Sequence, residues 1–174
     1  MPNIFNILVS LEAESIASSG SYHPVESGAP IIDSKYVHIL TYDGTTVIDN
    51  GGKLLSLKNV HQNNSIIWTE ASLTSFASKY SVLLTSVVPD DVTSASNFLS
   101  KADLRVDKQI KPIITEANPL VVVLKEVDQH FWVSSIQRSP ISSVQIPFTC
   151  VFEIYEGPNR IGFGKYKHIL ELSL

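Results

Sequence analysis

The feature that most constrains this chain is a series of short segments in which apolar and polar residues alternate. Residues 5–11, 35–42 and 80–88 show this alternation, which places successive side chains on opposite faces of a β-strand. Turn residues separate the segments, and no long stretch has a strong helical period. Strands at spacings of about 8 to 15 residues are typical of a sandwich or barrel. We therefore expect an all-β fold, an antiparallel β-sandwich (jelly-roll-like) with about 8–10 strands.

The C-terminal third carries the strongest strand signals. Residues 144–155 and 161–172 form two long candidate strands, and the loop 156–160 between them contains Gly and Pro. This pattern predicts a β-hairpin. Residues 120–124 (LVVVL) are apolar at every position, which indicates a central strand buried on both faces, with residues 129–136 as its neighbouring strand.

Several segments between the strands are rich in turn residues. Residues 13–34 are expected to form a long surface loop, with at most one helical turn near the start. Residues 73–80 have helical spacing, but their Ser and Thr content favours a loop. Asp91 is a candidate cap for a short helix, residues 102–106 a candidate strand, and Pro112 marks a sheet edge or loop.

Composition limits the possible partners and location. The 174 residues fit one domain, 1–174, with no linker-like segment. The formal net charge is -4 and no basic cluster is present, so nucleic acid is not an expected partner. The longest apolar run, residues 120–124, is too short to span a membrane, and the N-terminus lacks the positive region of a secretory signal. We expect a cytoplasmic protein.

The sequence contains no legible catalytic motif or cofactor loop. Cys150 lies among apolar residues, which favours a buried and unreactive thiol. The five histidines have no zinc-type spacing. Asp43, Asp49 and Asn50 could supply oxygen ligands to calcium, but the calcium-loop motif is absent. We therefore expect no enzyme activity, no metal site and no cofactor.

One segment offers chemistry suited to sugar binding. Asp128, His130 and Trp132 share one face of a candidate strand. If Phe131 and Val133 point inward, this face points outward and presents an indole ring for stacking on a sugar, with polar groups beside it. The alternative is that Trp132 supplies packing area in the core or in a subunit interface, which is the more common role of large aromatic residues.

Several short segments follow one another along the chain in a distinctive order and spacing. They are residues 6–9 (NILV), 12–16 (EAESI), 36–40 (YVHIL), 66–68 (IIW), 72–73 (SL) and 81–84 (SVLL). Together they resemble the PixA/AidA family of bacterial inclusion-body proteins. None of them is a catalytic motif, so the resemblance rests on pattern, order and spacing. The chain differs from the family pattern at Asn6, where the family has Asp, and at Ile67, where it has Arg.

The resemblance implies a small, abundant, non-enzymatic protein of the bacterial cytoplasm that accumulates in intracellular inclusions. It also makes carbohydrate binding a candidate activity, so a glycan is a candidate partner and a lectin-like module is the alternative to an assembly protein. A chain with 17% charged residues meets little electrostatic repulsion when it self-associates. We expect a homo-oligomer with twofold symmetry.

Overall fold

In a computed structural model, which describes residues 2–41, 46–49, 53–75, 78–117 and 120–174, the chain forms two five-stranded sheets. Two short α-helices and two 3-10 turns connect some of the strands. The strands are β1 (Ile4–Leu11), β2 (Val37–Thr41), β3 (Thr46–Asp49), β4 (Leu54–Leu57), β5 (Ser65–Ser72), β6 (Tyr80–Pro89), β7 (Asp103–Ala117), β8 (Leu120–Ser135), β9 (Val144–Glu156) and β10 (Asn159–Leu172). The helices are α1 (Ala13–Ser19) and α2 (Val92–Ala95), and the 3-10 turns are Glu26–Gly28 and Ser34–Tyr36.

The two sheets form a β-sandwich, which confirms the predicted fold class. The first sheet has the strand order β2-β1-β5-β8-β7, and the second has the order β3-β4-β10-β9-β6. Most neighbouring strands are antiparallel, but β1 pairs with β5 and β4 pairs with β10 in parallel. Both sheets are therefore mixed.

The core lies between the sheets and is built around Trp68, which is fully buried on β5. Its indole ring contacts Phe148 on β9, at a centroid distance of 5.9 Å, and His168 on β10, at 5.4 Å. The His168 ring is stacked with the ring of Phe148, at a centroid distance of 5.8 Å, and with the ring of Tyr166, at 6.1 Å. This aromatic cluster joins the central strands of the two sheets.

Several local predictions agree with the structure. β9 and β10 form the expected hairpin, with Gly157 in the left-handed region (φ 57°) at its turn. Asp91 caps α2, because its Oδ1 accepts hydrogen bonds from the backbone N–H groups of Thr93 and Ser94. Residues 73–75 and 78–79 lie outside helices and strands, as predicted.

The segment 13–34 is more ordered than a surface loop. Residues 13–19 form α1, which places Ile16 in the core. Beyond the helix, the backbone of His23 exchanges two hydrogen bonds with Phe163, and the Ile32 N–H donates to the Lys165 carbonyl. These bonds attach the segment to residues 163–165 of β10. Those residues precede the part of the strand, residues 169–172, that pairs with β4. The turn-rich composition was a correct sign of irregular backbone, but it did not reveal this attachment.

The prediction for residues 120–124 and 129–136 is wrong. Both segments belong to one long strand, β8, and they are not neighbours in a sheet. Val122, Val123 and Leu124 are exposed, so this part of β8 is not a buried central strand. Pro112 lies within β7, which is an edge strand, as the proline predicted. The candidate calcium ligands Asp43 and Asn50, and the side chain of Asp49, lie outside the described residues.

His168 is buried among aromatic rings, and neither of its ring nitrogens has a hydrogen-bond partner among the described residues. Burial lowers the pKa of His168 to about 4, against the opposing attraction of Asp90. The unfolded chain takes up a proton below pH 6.5, whereas the folded chain does not until about pH 4. This residue therefore costs the native state stability as the pH falls between those values.

Between pH 7 and pH 4, His168 should lower the unfolding free energy of the wild type by about 3 kcal/mol. We predict that His168→Phe lacks this part of the acid-dependent loss. Urea denaturation of both proteins at a series of pH values between 7 and 4 measures the effect. Asp90 and the other acidic groups titrate in both proteins, so the difference between the two curves isolates His168. Parallel curves would contradict the prediction.

Candidate functional site

The two strands β5 and β8 separate part of the way along the first sheet. They pair only from Ser65 with Ser135 to Trp68 with Trp132. Beyond Trp132, β8 pairs with β7 alone, as far as the pair Leu120 and Ala117. Residues 104–117 and 120–131 therefore form a two-stranded ribbon that extends away from the rest of the sheet. We call this ribbon the arm.

Trp132 lies at the base of the arm and faces the opposite sheet. It is paired with the fully buried Trp68, and directly paired residues project from the same face of a sheet. Its indole Nε1 donates a 3.0 Å hydrogen bond to the carbonyl oxygen of Leu84 on β6. His130 and Trp132 thus face the sandwich interior, which agrees with the packing alternative for Trp132 and not with the outward face considered for sugar binding. The pairing with Trp68, which decides the face, could not be known from the sequence.

His130 and Glu70 form an ion pair where the strands separate. The His130 Nε2 lies 2.7 Å from Glu70 Oε1, although the contact does not have the alignment of a good hydrogen bond. The second carboxylate oxygen of Glu70, Oε2, is buried and has no hydrogen-bond partner among the described residues. Burial raises the pKa of Glu70, and the neighbouring His130 opposes that rise. The pair joins β5 to β8 by side chains after their backbone pairing has ended.

The structure brings together two of the three residues proposed for sugar binding. His130 and Trp132 line a cavity of about 270 Å³, together with Leu83, Leu84, Thr85 and Leu104. Asp128 is exposed on the arm, opposite Lys108, and does not line this cavity. Glu70 was not among the residues predicted for this site, because its position beside His130 depends on the register of β5 and β8.

One face of the arm carries exposed apolar side chains. The pairing register places these residues on the same face as Trp132. Ile110 is 71% exposed and Leu124 is 74% exposed, and no other described part of the chain covers this face. The five residues, which we call the apolar stripe, are Leu104, Val106, Ile110, Val122 and Leu124.

The opposite face of the arm is mixed. On β7 it is polar, with Arg105, Asp107, Gln109 and Lys111 exposed, whereas on β8 it carries Val121, Val123, Val127 and Phe131 beside the exposed Lys125. An isolated two-stranded ribbon is marginally stable in water, and a large exposed apolar patch is unusual on a monomer.

Other clusters in the described residues offer little catalytic chemistry. Glu12 accepts a hydrogen bond from the Ser15 hydroxyl and lies 3.1 Å from His38 Nε2. The carboxylate stands between the other two groups, so His38 is not placed to take a proton from Ser15. Cys150 is fully buried, and burial raises its pKa to about 12, as expected of an unreactive thiol.

Two further observations concern metals and membranes. Within the described ranges, no group of three or more His, Cys, Asp or Glu side chains is placed to hold a metal ion. In the same part of the chain, no helix is long and apolar enough to cross a lipid bilayer.

The fold and this surface define a small all-β sandwich protein with an extended arm. A family model for PixA, the inclusion body protein, matches residues 3–172, so the chain belongs to the PixA inclusion body protein family. The fold is similar to the crystal structure of an inclusion body protein of the PixA family from Burkholderia cenocepacia J2315, with a TM-score of 0.69 and 14% sequence identity. The match covers 99% of this chain and 97% of that one. Among curated proteins, none matches the chain.

We predict that Trp132→Phe lowers the unfolding free energy by about 1 kcal/mol, because it removes the indole bond to the Leu84 carbonyl. Asp128→Asn, at an exposed position on the same strand, serves as the control and should change it by less than about 0.5 kcal/mol. Chemical denaturation measures both values. Equal effects of the two substitutions would show that the hydrogen bond between the sheets adds nothing to stability.

Proposed function

We propose that this protein works by self-assembly and that the apolar stripe of the arm is its assembly surface. The observation that carries the proposal is the uncovered apolar face of a ribbon beside which the described residues place no third strand. The family to which the chain belongs is named for inclusion bodies, in which many copies of one protein accumulate. A second copy of the same chain is thus the partner that we assign to the stripe.

The charge of the arm supports a contact between identical copies. Residues 104–131 contain four Lys or Arg and four Asp or Glu, so two arms can approach without net repulsion. Lys108 and Glu126, which lie on the same face as the stripe, already form an ion pair within one arm. In a twofold, antiparallel contact, each arm can offer these groups to the other.

The size of the arm indicates a moderate affinity. Twelve residues of β8 extend the ribbon by about 40 Å, and two strands are about 10 Å wide, which gives a face of roughly 400 Å² in projection. This is about half of the roughly 800 Å² that each partner buries in a standard complex. Association through the arm alone should therefore depend strongly on protein concentration.

We also propose that the protein is not an enzyme and that it acts in the cytoplasm as one domain. The His38, Glu12 and Ser15 cluster lacks the order of groups needed to activate a nucleophile, and Cys150 is buried. Both observations support the proposal that neither the cluster nor the thiol has a catalytic role.

Carbohydrate binding is the second candidate, because His130 and Trp132 line the same cavity. A glycan array with the wild type and Trp132→Phe tests it. Binding to one glycan class that weakens in the variant would support a lectin-like role. A blank result from folded protein would leave assembly as the function.

The assembly proposal predicts that Ile110→Asp/Leu124→Asp remains monomeric at protein concentrations where the wild type associates. Two carboxylates in the stripe should weaken association by roughly a hundredfold, because each would be buried in an apolar contact. Sedimentation velocity over a range of concentrations measures the change.

The matched control is Val25→Asp/Ile141→Asp, which adds the same charge at two exposed apolar residues outside the arm. This variant should associate as the wild type does. Unchanged association of the arm variant, or equal weakening in both variants, would overturn the proposal.

A further inference from the structure

A second cavity lies where β6, α2 and the segment that leads into β7 meet the indole ring of Trp132. Its volume is about 580 Å³, which is within the range of small-molecule sites. The wall is mainly apolar and includes Val87 from β6, Ala95 from α2, Leu99, Ala102 and Trp132. The cavity belongs to neither the aromatic core nor the apolar stripe.

The aromatic wall of this cavity is held in a fixed position. The hydrogen bond from Trp132 Nε1 to the Leu84 carbonyl restrains the ring. Trp132 also lines the 270 Å³ cavity. A restrained indole offers a flat surface on which another ring can stack at little cost in side-chain entropy.

The polar groups of the lining argue against a charged ligand. Glu26 and Lys101 are its two charged residues, and both are exposed, so they lie on the solvent side of the cavity. Their charges are opposite and give no net attraction to a cation or an anion. The remaining polar groups are the hydroxyls of Ser86, Ser96 and Ser100.

We propose that this cavity binds a small, uncharged aromatic molecule, which stacks on Trp132 and fills the space between β6 and α2. This inference is independent of the assembly proposal, because the cavity is formed within one copy of the chain. A ligand here would also stabilise the contact between the edge strand of the second sheet and the base of the arm.

The test uses the neutral fluorescent probe N-phenyl-1-naphthylamine with the full chain. We expect a saturable rise in probe emission, and energy transfer to the probe when tryptophan is excited. Ala102→Leu fills part of the cavity and should weaken binding by about tenfold. Ala71→Leu, a half-buried alanine outside the cavity lining, should leave binding unchanged.

A second variant distinguishes loss of probe binding from loss of folding. Ser96 is exposed at the edge of the cavity, so Ser96→Phe should block it without disturbing the core. Trp132→Phe keeps an aromatic ring in the cavity wall and should retain probe binding.

The proposal is overturned if the folded wild type shows no saturable binding, or if Ser96→Phe and Ala102→Leu bind the probe as well as Ala71→Leu does. Competition by neutral sugars at the same site would show that the cavity takes a polar ligand, which would also contradict it. Ile110→Asp/Leu124→Asp should bind the probe normally, so failure of the assembly proposal and failure of this one give different results.

Discussion

The packing of Trp68 against Phe148 and His168 is the interaction on which the rest of the structure depends. Trp68 lies on the central strand of the first sheet, and its two partners lie on β9 and β10 inside the second sheet. The contact sets how the two sheets face each other. It also fixes the face of β8, since Trp132 is paired with Trp68 and must project in the same direction. The residues of the apolar stripe lie on the same face of the arm as Trp132. The stripe therefore extends the inner face of the sandwich beyond the core.

Much of the fold follows from local sequence patterns. The hairpin of β9 and β10 has alternating strands on either side of a Gly-Pro turn, and Asp91 is a good helix cap, so local chemistry is enough to predict both. The parallel pairs are different. The partner of β1 is β5, more than fifty residues away, and nothing in the sequence of either strand identifies the other. Strand order and parallel pairing depend on contacts between distant segments, which alternation does not encode.

Residues 120–124 show a second limit of the sequence. Apolar residues on consecutive positions are typical of a strand buried on both faces, and the prediction of a central strand followed from that. In the structure Val122, Val123 and Leu124 extend along the arm, where the described part of the chain does not cover them. A sequence shows that a segment requires burial, but it does not show whether the covering surface is in the same chain or in another copy. The choice between an outward face and a packing role for Trp132 could not be made from the sequence for a related reason, because its face depends on a pairing with Trp68 and not on the alternation within β8.

The claim that the arm is covered by a second copy is tested most directly by hydrogen exchange of backbone amides, compared between dilute and concentrated protein. Our account predicts that exchange slows on association in residues 104–117 and 120–131 and stays unchanged in the other edge strands, β2, β3 and β6. Slowing in those edge strands with no change in the arm would contradict it.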